Sequence, residues 1–177
     1  MTDSHAERRA ALIAGALALP FALLTVLVVA EWGPLMRLDA HVVDSWHGAV
    51  VGTPWESFFI GVARISQPWV DRIVLLVLAV VLALRQQTRT ALWILTVVVV
   101  SGPAYRLVQH LVARPRPDVP HQIGGFSFPS GHATQIAATM GVLVVLALQR
   151  VRRRRLRRVL TAAAVLVVGL VGVDRIF

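Results

Sequence analysis

The chain has 177 residues, of which 56% are hydrophobic and 15% are charged, and its mean hydropathy is +0.70. These values exclude a disordered chain and disfavour an ordinary soluble domain, because soluble domains carry about 25% charged residues. All 18 basic residues are arginines and they oppose nine acids, which gives a net charge of +9, and the absence of cysteine excludes disulfides and thiolate metal sites.

Long uncharged runs predict an all-α integral membrane helical bundle. The first run, Ala11 to Ala30, has twenty residues, enough for a helix of about 30 Å that crosses the hydrocarbon core. It follows Arg8 and Arg9 as a signal peptide would, but it exceeds the usual apolar core of about 7–15 residues, so we expect a retained anchor. The five predicted spans cover residues 11–30, 68–84, 90–112, 132–149 and 159–175.

Two stretches of the chain depart from simple apolar runs. Residues 31–67 mix acids, tryptophans and alternating apolar side chains, which predicts short amphipathic helices at the membrane interface. The third span contains Ser101, Gly102 and Pro103, which predict a bend, and we expect its polar side chains to face protein or water. We treat residues 1–177 as a single transmembrane domain.

The arginines predict the orientation of the chain. Eleven of them fall in the N-terminus, the turn at Arg85 and Arg89, and the stretch from Arg150 to Arg158, where only Asp3 and Glu7 oppose them, so this side carries the whole +9. The positive-inside rule therefore predicts a cytoplasmic N-terminus in the cell membrane. Spans flank the 150–158 stretch on both sides, which argues against nucleic-acid binding.

The outward-facing segment between the third and fourth spans holds the candidate site. Residues 113–130 are rich in arginine, proline and glycine, which predicts a fixed irregular loop. Ser130 can cap the helix that follows, and Gly131 lets a ligand approach the backbone. The free N–H groups of that helix and the fork of Arg116 predict an anion site, where His132 can exchange a proton.

These residues resemble the type 2 phosphatidic acid phosphatase superfamily, which shares a core with the vanadium haloperoxidases. The family has three motifs: Lys, six residues, Arg-Pro; then Pro-Ser-Gly-His; then Ser-Arg, five residues, His, three residues, Asp. Residues 129–132 match the second motif completely, and the arginines and prolines of 114–117 resemble the first. The resemblance extends over about residues 10–177, and it implies a bundle of six spans with an outward-facing active site.

The chain departs from the family motifs at two places. Gln109 occupies the lysine position, and it can hydrogen-bond a phosphate oxygen but brings no charge. Asp174 and Arg175 stand where the third motif has Ser-Arg, and the histidine six residues after Arg175 would lie beyond Phe177. We therefore expect the chain to be incomplete at its C-terminus, and the 177 residues alone to be inactive. We assign no nucleophilic role to His110 or His121.

The resemblance implies a membrane lipid phosphatase acting through a phosphohistidine intermediate. The missing histidine would attack phosphorus, and His132 would protonate the leaving group. The implied substrate is the phosphomonoester or diphosphate of a lipid: phosphatidate, phosphatidylglycerol phosphate or a polyprenyl diphosphate. No cofactor and no metal are implied. The residues implied to bind the substrate phosphate are Arg116, Ser130, Gly131, Arg175 and Gln109.

The sequence leaves three other hypotheses open. A catalytically inactive membrane protein that binds phosphate or lipid would explain Gln109, Asp174 and the missing histidine. A haloperoxidase would hold vanadate in the pocket, but that branch is soluble. A transporter would place its site at the membrane midplane on broken helices rather than on an outer loop. The oligomeric state is not predicted.

Overall fold

The computed structural model describes residues 3–116 and 125–176, which form helices and no strand. The helices are α1 (Asp3–Val29), α2 (Gly33–Val50), α3 (Pro54–Ile65), α4 (Pro68–Leu84), α5 (Thr88–Val112), α6 (Gly131–Arg150) and α7 (Arg154–Asp174).

The helix bounds confirm the all-helical prediction and refine it. α4 begins at Pro68, where the missing N–H of proline costs no helical hydrogen bond, and it ends at Leu84 as predicted. The stretch 31–67 forms the helices α2 and α3, as its pattern indicates. α5 continues through Pro103 as one helix from Thr88 to Val112.

The number of candidate membrane spans lies between three and five in the described part of the chain. The helices α5, α6 and α7 are each long and apolar enough to cross a membrane. The pairs α1 with α2 and α3 with α4 qualify if each bent pair counts as one span, and the bend between α3 and α4 is 46°. The predicted five spans correspond to the upper value.

The chain divides into two compact units, one up to His41 and one from Val42 onward. In the second unit α4 packs against α5, α6 packs against α7, and α6 also contacts α4 and α5. The core of this unit lies between α4, α5 and α6 and consists of Leu75, Ala79, Leu82, Ala91, Ile94, Val142 and Leu146.

Many large apolar side chains point away from this core. Leu84 and Leu166 are 76% and 73% exposed, and many other large apolar side chains of α4, α5 and α7 are exposed as well. A soluble protein rarely exposes apolar surface on this scale, whereas a lipid-facing surface requires it. Several polar side chains are instead buried inside the bundle, among them Asp71, Gln135 and Thr139.

The two ends of the second unit differ in chemistry. At one end the last turn of α5, the start of α6 and the end of α7 come together; we call it the His132 end. At the opposite end the α4–α5 turn lies beside the end of α6, because Arg150 hydrogen-bonds to Gln87. We call this the arginine-rich end.

Candidate active site

The first turn of α6 is built as the sequence predicts. The Ser130 side chain caps the helix, with its Oγ accepting a hydrogen bond of 3.4 Å from the backbone N–H of Ala133. The Ser130 carbonyl accepts a second bond of 2.8 Å from the Thr134 hydroxyl. The predicted cap is therefore confirmed. The positive end of the helix dipole is directed at the space in front of Gly131.

Gly131 lies against the aromatic ring of Tyr105, a contact that the sequence motifs do not predict. A Cβ atom at this position would come within 3.0 Å of Cε2 and 3.2 Å of Cζ of Tyr105. Only glycine therefore lets α6 begin this close to α5. Tyr105 lies one turn before Gln109 and therefore on the same face of α5. This spacing is the feature of the sequence that could have indicated Tyr105 as a residue of the site.

His132 is buried beneath this turn, with 9% of the residue exposed. Its Nε2 atom has no hydrogen-bond partner among the described residues. The guanidinium groups of Arg175 and Arg116 both lie close enough to interact with the ring electrostatically. The structure thus brings together residues that are separated by up to 59 positions in the chain.

Arg116 reaches the same place from the loop after α5. Its Nε atom is buried and makes no hydrogen bond within the described part of the chain. Burial, and then the nearby charge of Arg175, lower the pKa of Arg116 from its ordinary value. Two guanidinium groups that repel each other are stabilised when an anion lies between them, so this pair favours a phosphate ligand.

Arg175 is paired with its neighbour in the chain. The Asp174 carboxylate is fully buried and accepts a hydrogen bond of 2.9 Å from Nε of Arg175, and a terminal nitrogen of the same guanidinium contacts it too. Its other oxygen, Oδ1, has no partner in the region that the structure covers. The acid that replaces the family serine therefore neutralises part of the charge that Arg175 would offer to a phosphate.

Gln109 makes contacts that its motif position does not predict. Its Nε2 donates to the backbone carbonyls of Phe126, at 3.2 Å, and Pro129, at 2.9 Å. Both amide hydrogens are thereby used, which leaves none for a phosphate oxygen in this arrangement. The phosphate-binding role of Gln109 stays a prediction, while its observed contacts fix the segment that leads into α6.

A second residue, Ser127, joins the two sides of the loop. Its backbone N–H donates to the Arg114 carbonyl at 2.9 Å, and its hydroxyl donates to the Pro115 carbonyl at 2.9 Å. His110 contributes an edge-to-face contact with Phe126, with 5.5 Å between the ring centroids. Residues 117–124 of the predicted loop, including His121, lie outside the described residues.

The bundle below His132 is polar as well. Gln135 and Thr139 follow His132 on the same face of α6 and are 1% and 2% exposed. The Ser101 hydroxyl on α5 donates to Oε1 of Gln135 at 3.3 Å, which agrees with the expectation that this polar residue faces protein. In the described residues no three His, Cys, Asp or Glu side chains are grouped to hold a metal ion.

Comparison with known proteins shows which family the site region resembles. The profile of the PAP2 superfamily matches residues 90–177, which contain every residue of the site. The solved structure of a transmembrane PAP2 type phosphatidylglycerolphosphate phosphatase from Bacillus subtilis has a similar fold, with a TM-score of 0.76 and 17% sequence identity over 89% of this chain and 81% of that chain. No curated protein matches the chain significantly.

The fold likeness and the exposed apolar helices identify a multi-pass membrane protein. The resemblance drawn from residues 114–117 and 129–132 is confirmed by the profile match. Residues 90–177, which hold the site, belong to the PAP2 superfamily.

Proposed function

We propose that this chain is a membrane lipid phosphatase that hydrolyses a phosphomonoester or diphosphate bond of a lipid. The observation that carries the proposal is the convergence of Arg116, His132 and Arg175 in front of the capped start of α6. Two guanidinium groups and a helix N-terminus are suited to a dianionic phosphoryl group. An imidazole beside them is suited to proton transfer to the leaving oxygen.

The proposed mechanism assigns a separate role to each group. Arg116, Arg175 and the first N–H groups of α6 hold the nonbridging oxygens and stabilise the charge that grows on them in the transition state. His132 protonates the leaving alkoxide or phosphate. The family resemblance implies that the attacking histidine of the phosphohistidine mechanism stands six residues after Arg175. It displaces the protonated leaving group from phosphorus, and water then hydrolyses the intermediate.

A lipid is favoured over a soluble ester as substrate because exposed apolar helices surround the site. The structure with the similar fold is that of a phosphatidylglycerolphosphate phosphatase, which makes this lipid phosphate the first to test. Phosphatidate and a polyprenyl diphosphate are the other candidates. The arginine distribution supports a cell membrane location with a cytoplasmic N-terminus and an outward-facing site.

The test separates binding from turnover. The 177-residue chain in nanodiscs should be stabilised against heat by inorganic phosphate, and His132→Asn and Arg116→Gln should each reduce this effect, while His41→Asn, an exposed control on α2, should not. Phosphate release from each lipid is then measured for this chain and for a version that carries a histidine six residues after Arg175, as in the third family motif. We expect turnover only in the version with this histidine, and turnover without it would place the nucleophile elsewhere.

A second candidate function is a binding protein without catalysis. The ion pair between Asp174 and Arg175 favours it, because this pair reduces the charge available to a phosphate. Phosphate-dependent stabilisation with no turnover in either version would support this function and contradict the phosphatase.

A further inference from the structure

A polar cleft lies at the arginine-rich end, the opposite end of α6 from His132. It has a volume of about 570 Å³ and is lined by the α4–α5 turn and the start of α5, residues 86–90, together with Gln149 and Arg150 at the end of α6. The lining consists of glutamines, threonines and two arginines, and it includes no acid. The cleft offers hydrogen-bond donors and positive charge, which is the chemistry of an anion site.

The two arginines of the cleft are supported by further positive charge. Arg89 lies on α5 and Arg150 on α6, and Arg150 hydrogen-bonds to Oε1 of Gln87 across the cleft. This contact positions the guanidinium and leaves others of its five N–H groups free for a ligand. The connection that follows α6 adds the arginines at 152–155, 157 and 158.

The start of α5 adds backbone donors to the same cleft. Gln87 is the N-cap residue, but its side chain makes no capping hydrogen bond. The N–H groups of the first turn, which includes Thr88 and Arg89, therefore lack the side-chain acceptor that usually satisfies one of them. A phosphate oxygen in the cleft would supply that acceptor at the positive end of a 25-residue helix.

On each of the three helices an exposed leucine lies within two residues of the cleft lining in the sequence. Leu84 on α4, Leu92 on α5 and Leu148 on α6 are 76%, 58% and 45% exposed. A free phosphate would make no use of these side chains, whereas acyl chains attached to a headgroup would cover them. The position of the cleft at the end of apolar helices places it at the depth of lipid headgroups.

We propose that the Arg89–Arg150 cleft binds the phosphate headgroup of an anionic phospholipid from the leaflet at the arginine-rich end. This site lies at the other end of the bundle from the proposed active site and does not depend on the proposed phosphatase activity. Its ligand class is a phosphodiester lipid with net negative charge, for which phosphatidylglycerol is the probe.

The experiment is native mass spectrometry of the detergent-solubilised chain titrated with phosphatidylglycerol or with phosphatidylcholine. We expect selective retention of phosphatidylglycerol, and binding roughly thirtyfold weaker in the double variant Arg89→Gln/Arg150→Gln. The matched control is Arg152→Gln/Arg153→Gln, which removes the same charge from the same end but lies outside the cleft. A third variant, Gln87→Ala, keeps all charges but removes the partner of Arg150 and one amide of the cleft lining, and it should also weaken binding.

The outcomes are distinct. Equal weakening in both double variants would show unspecific attraction to the arginine-rich end and overturn the site. Displacement of the lipid by inorganic phosphate at equal concentration would show a free-anion site and overturn the lipid assignment. If the Arg89→Gln/Arg150→Gln variant fails to fold, as judged by its melting temperature in detergent, unchanged binding by Gln87→Ala would count against the cleft.

Discussion

The side chain of Gln109 on α5 is joined to the carbonyl of Pro129, the residue before the α6 cap, by a hydrogen bond of 2.9 Å. The same amide donates a second hydrogen bond to the Phe126 carbonyl, so Gln109 is bonded twice to the segment that leads into the site. The position of His132 therefore depends on a residue on another helix, 23 positions earlier in the chain.

Replacing Gln109 should loosen this segment. Gln109→Glu keeps the shape but sets a carboxylate against two carbonyl oxygens, and Gln109→Leu leaves both carbonyls without their donor, at a cost of about 1–3 kcal/mol. We expect faster amide hydrogen exchange at Ser127 and weaker binding of inorganic phosphate, with the larger effect for Gln109→Glu. Exchange in the α4–α5 turn serves as the internal control, and an unchanged rate at Ser127 in both variants would contradict the role.

Adding a methyl group at Gly131 should push α6 away from Tyr105. The new Cβ would lie 3.0 Å from Cε2 of Tyr105, so we expect Gly131→Ala to cost about 1–3 kcal/mol of stability and to weaken phosphate binding. The matched control is Gly141→Ala on the same helix, where a Cβ meets nothing within 4 Å. Tyr105→Leu should rescue Gly131→Ala, and the absence of rescue would mean that the contact is not the cause.

Neutralising Asp174 should release Arg175. In the Asp174→Asn variant the guanidinium loses its anionic partner and a negative charge leaves the site, so we expect inorganic phosphate to bind at least about tenfold more tightly. The same variant should melt at a lower temperature without phosphate, because a buried pair has been broken. Isothermal titration of both proteins tests the affinity, and equal affinities would show that the pair does not compete with phosphate.

Two substitutions at Ser130 should distinguish its role in capping α6 from the effect of its position beside the phosphate. Ser130→Ala loses the cap to Ala133, at a cost of about 1 kcal/mol. Ser130→Asp retains a capping oxygen but adds a negative charge where the phosphate is expected, so stability should be kept while phosphate binding falls. Melting temperatures with and without phosphate test both, and undiminished phosphate stabilisation in Ser130→Asp would move the phosphate away from the α6 start.

The features that the sequence predicts well are local. Hydropathy and Pro68 locate α4, and the order Pro-Ser-Gly-His locates the capped start of α6, because a span or a cap depends on residues close together in the chain. The pairing of Asp174 with Arg175 likewise concerns residues adjacent in the chain.

The contacts that the sequence does not predict are long-range. Tyr105 meets Gly131, and Gln109 meets the carbonyls before α6, only because α5 and α6 pack side by side. The motif position suggested a phosphate ligand for Gln109, and nothing local indicates that backbone carbonyls use its hydrogens. The buried positions of Gln135 and Thr139 likewise depend on which face of α6 meets α4 and α5.

α6 connects the two ends of the bundle as one unbroken helix of 20 residues, about 30 Å long. Its length matches the thickness of an average hydrocarbon core, so His132 and Arg150 cannot both remain at their headgroup levels in a bilayer that is much thinner or thicker. The helix therefore fixes the distance between these two residues across the membrane. Acyl chain length, and with it hydrophobic mismatch, becomes a physical variable that sets how deeply the site sits relative to the lipid phosphates in front of it.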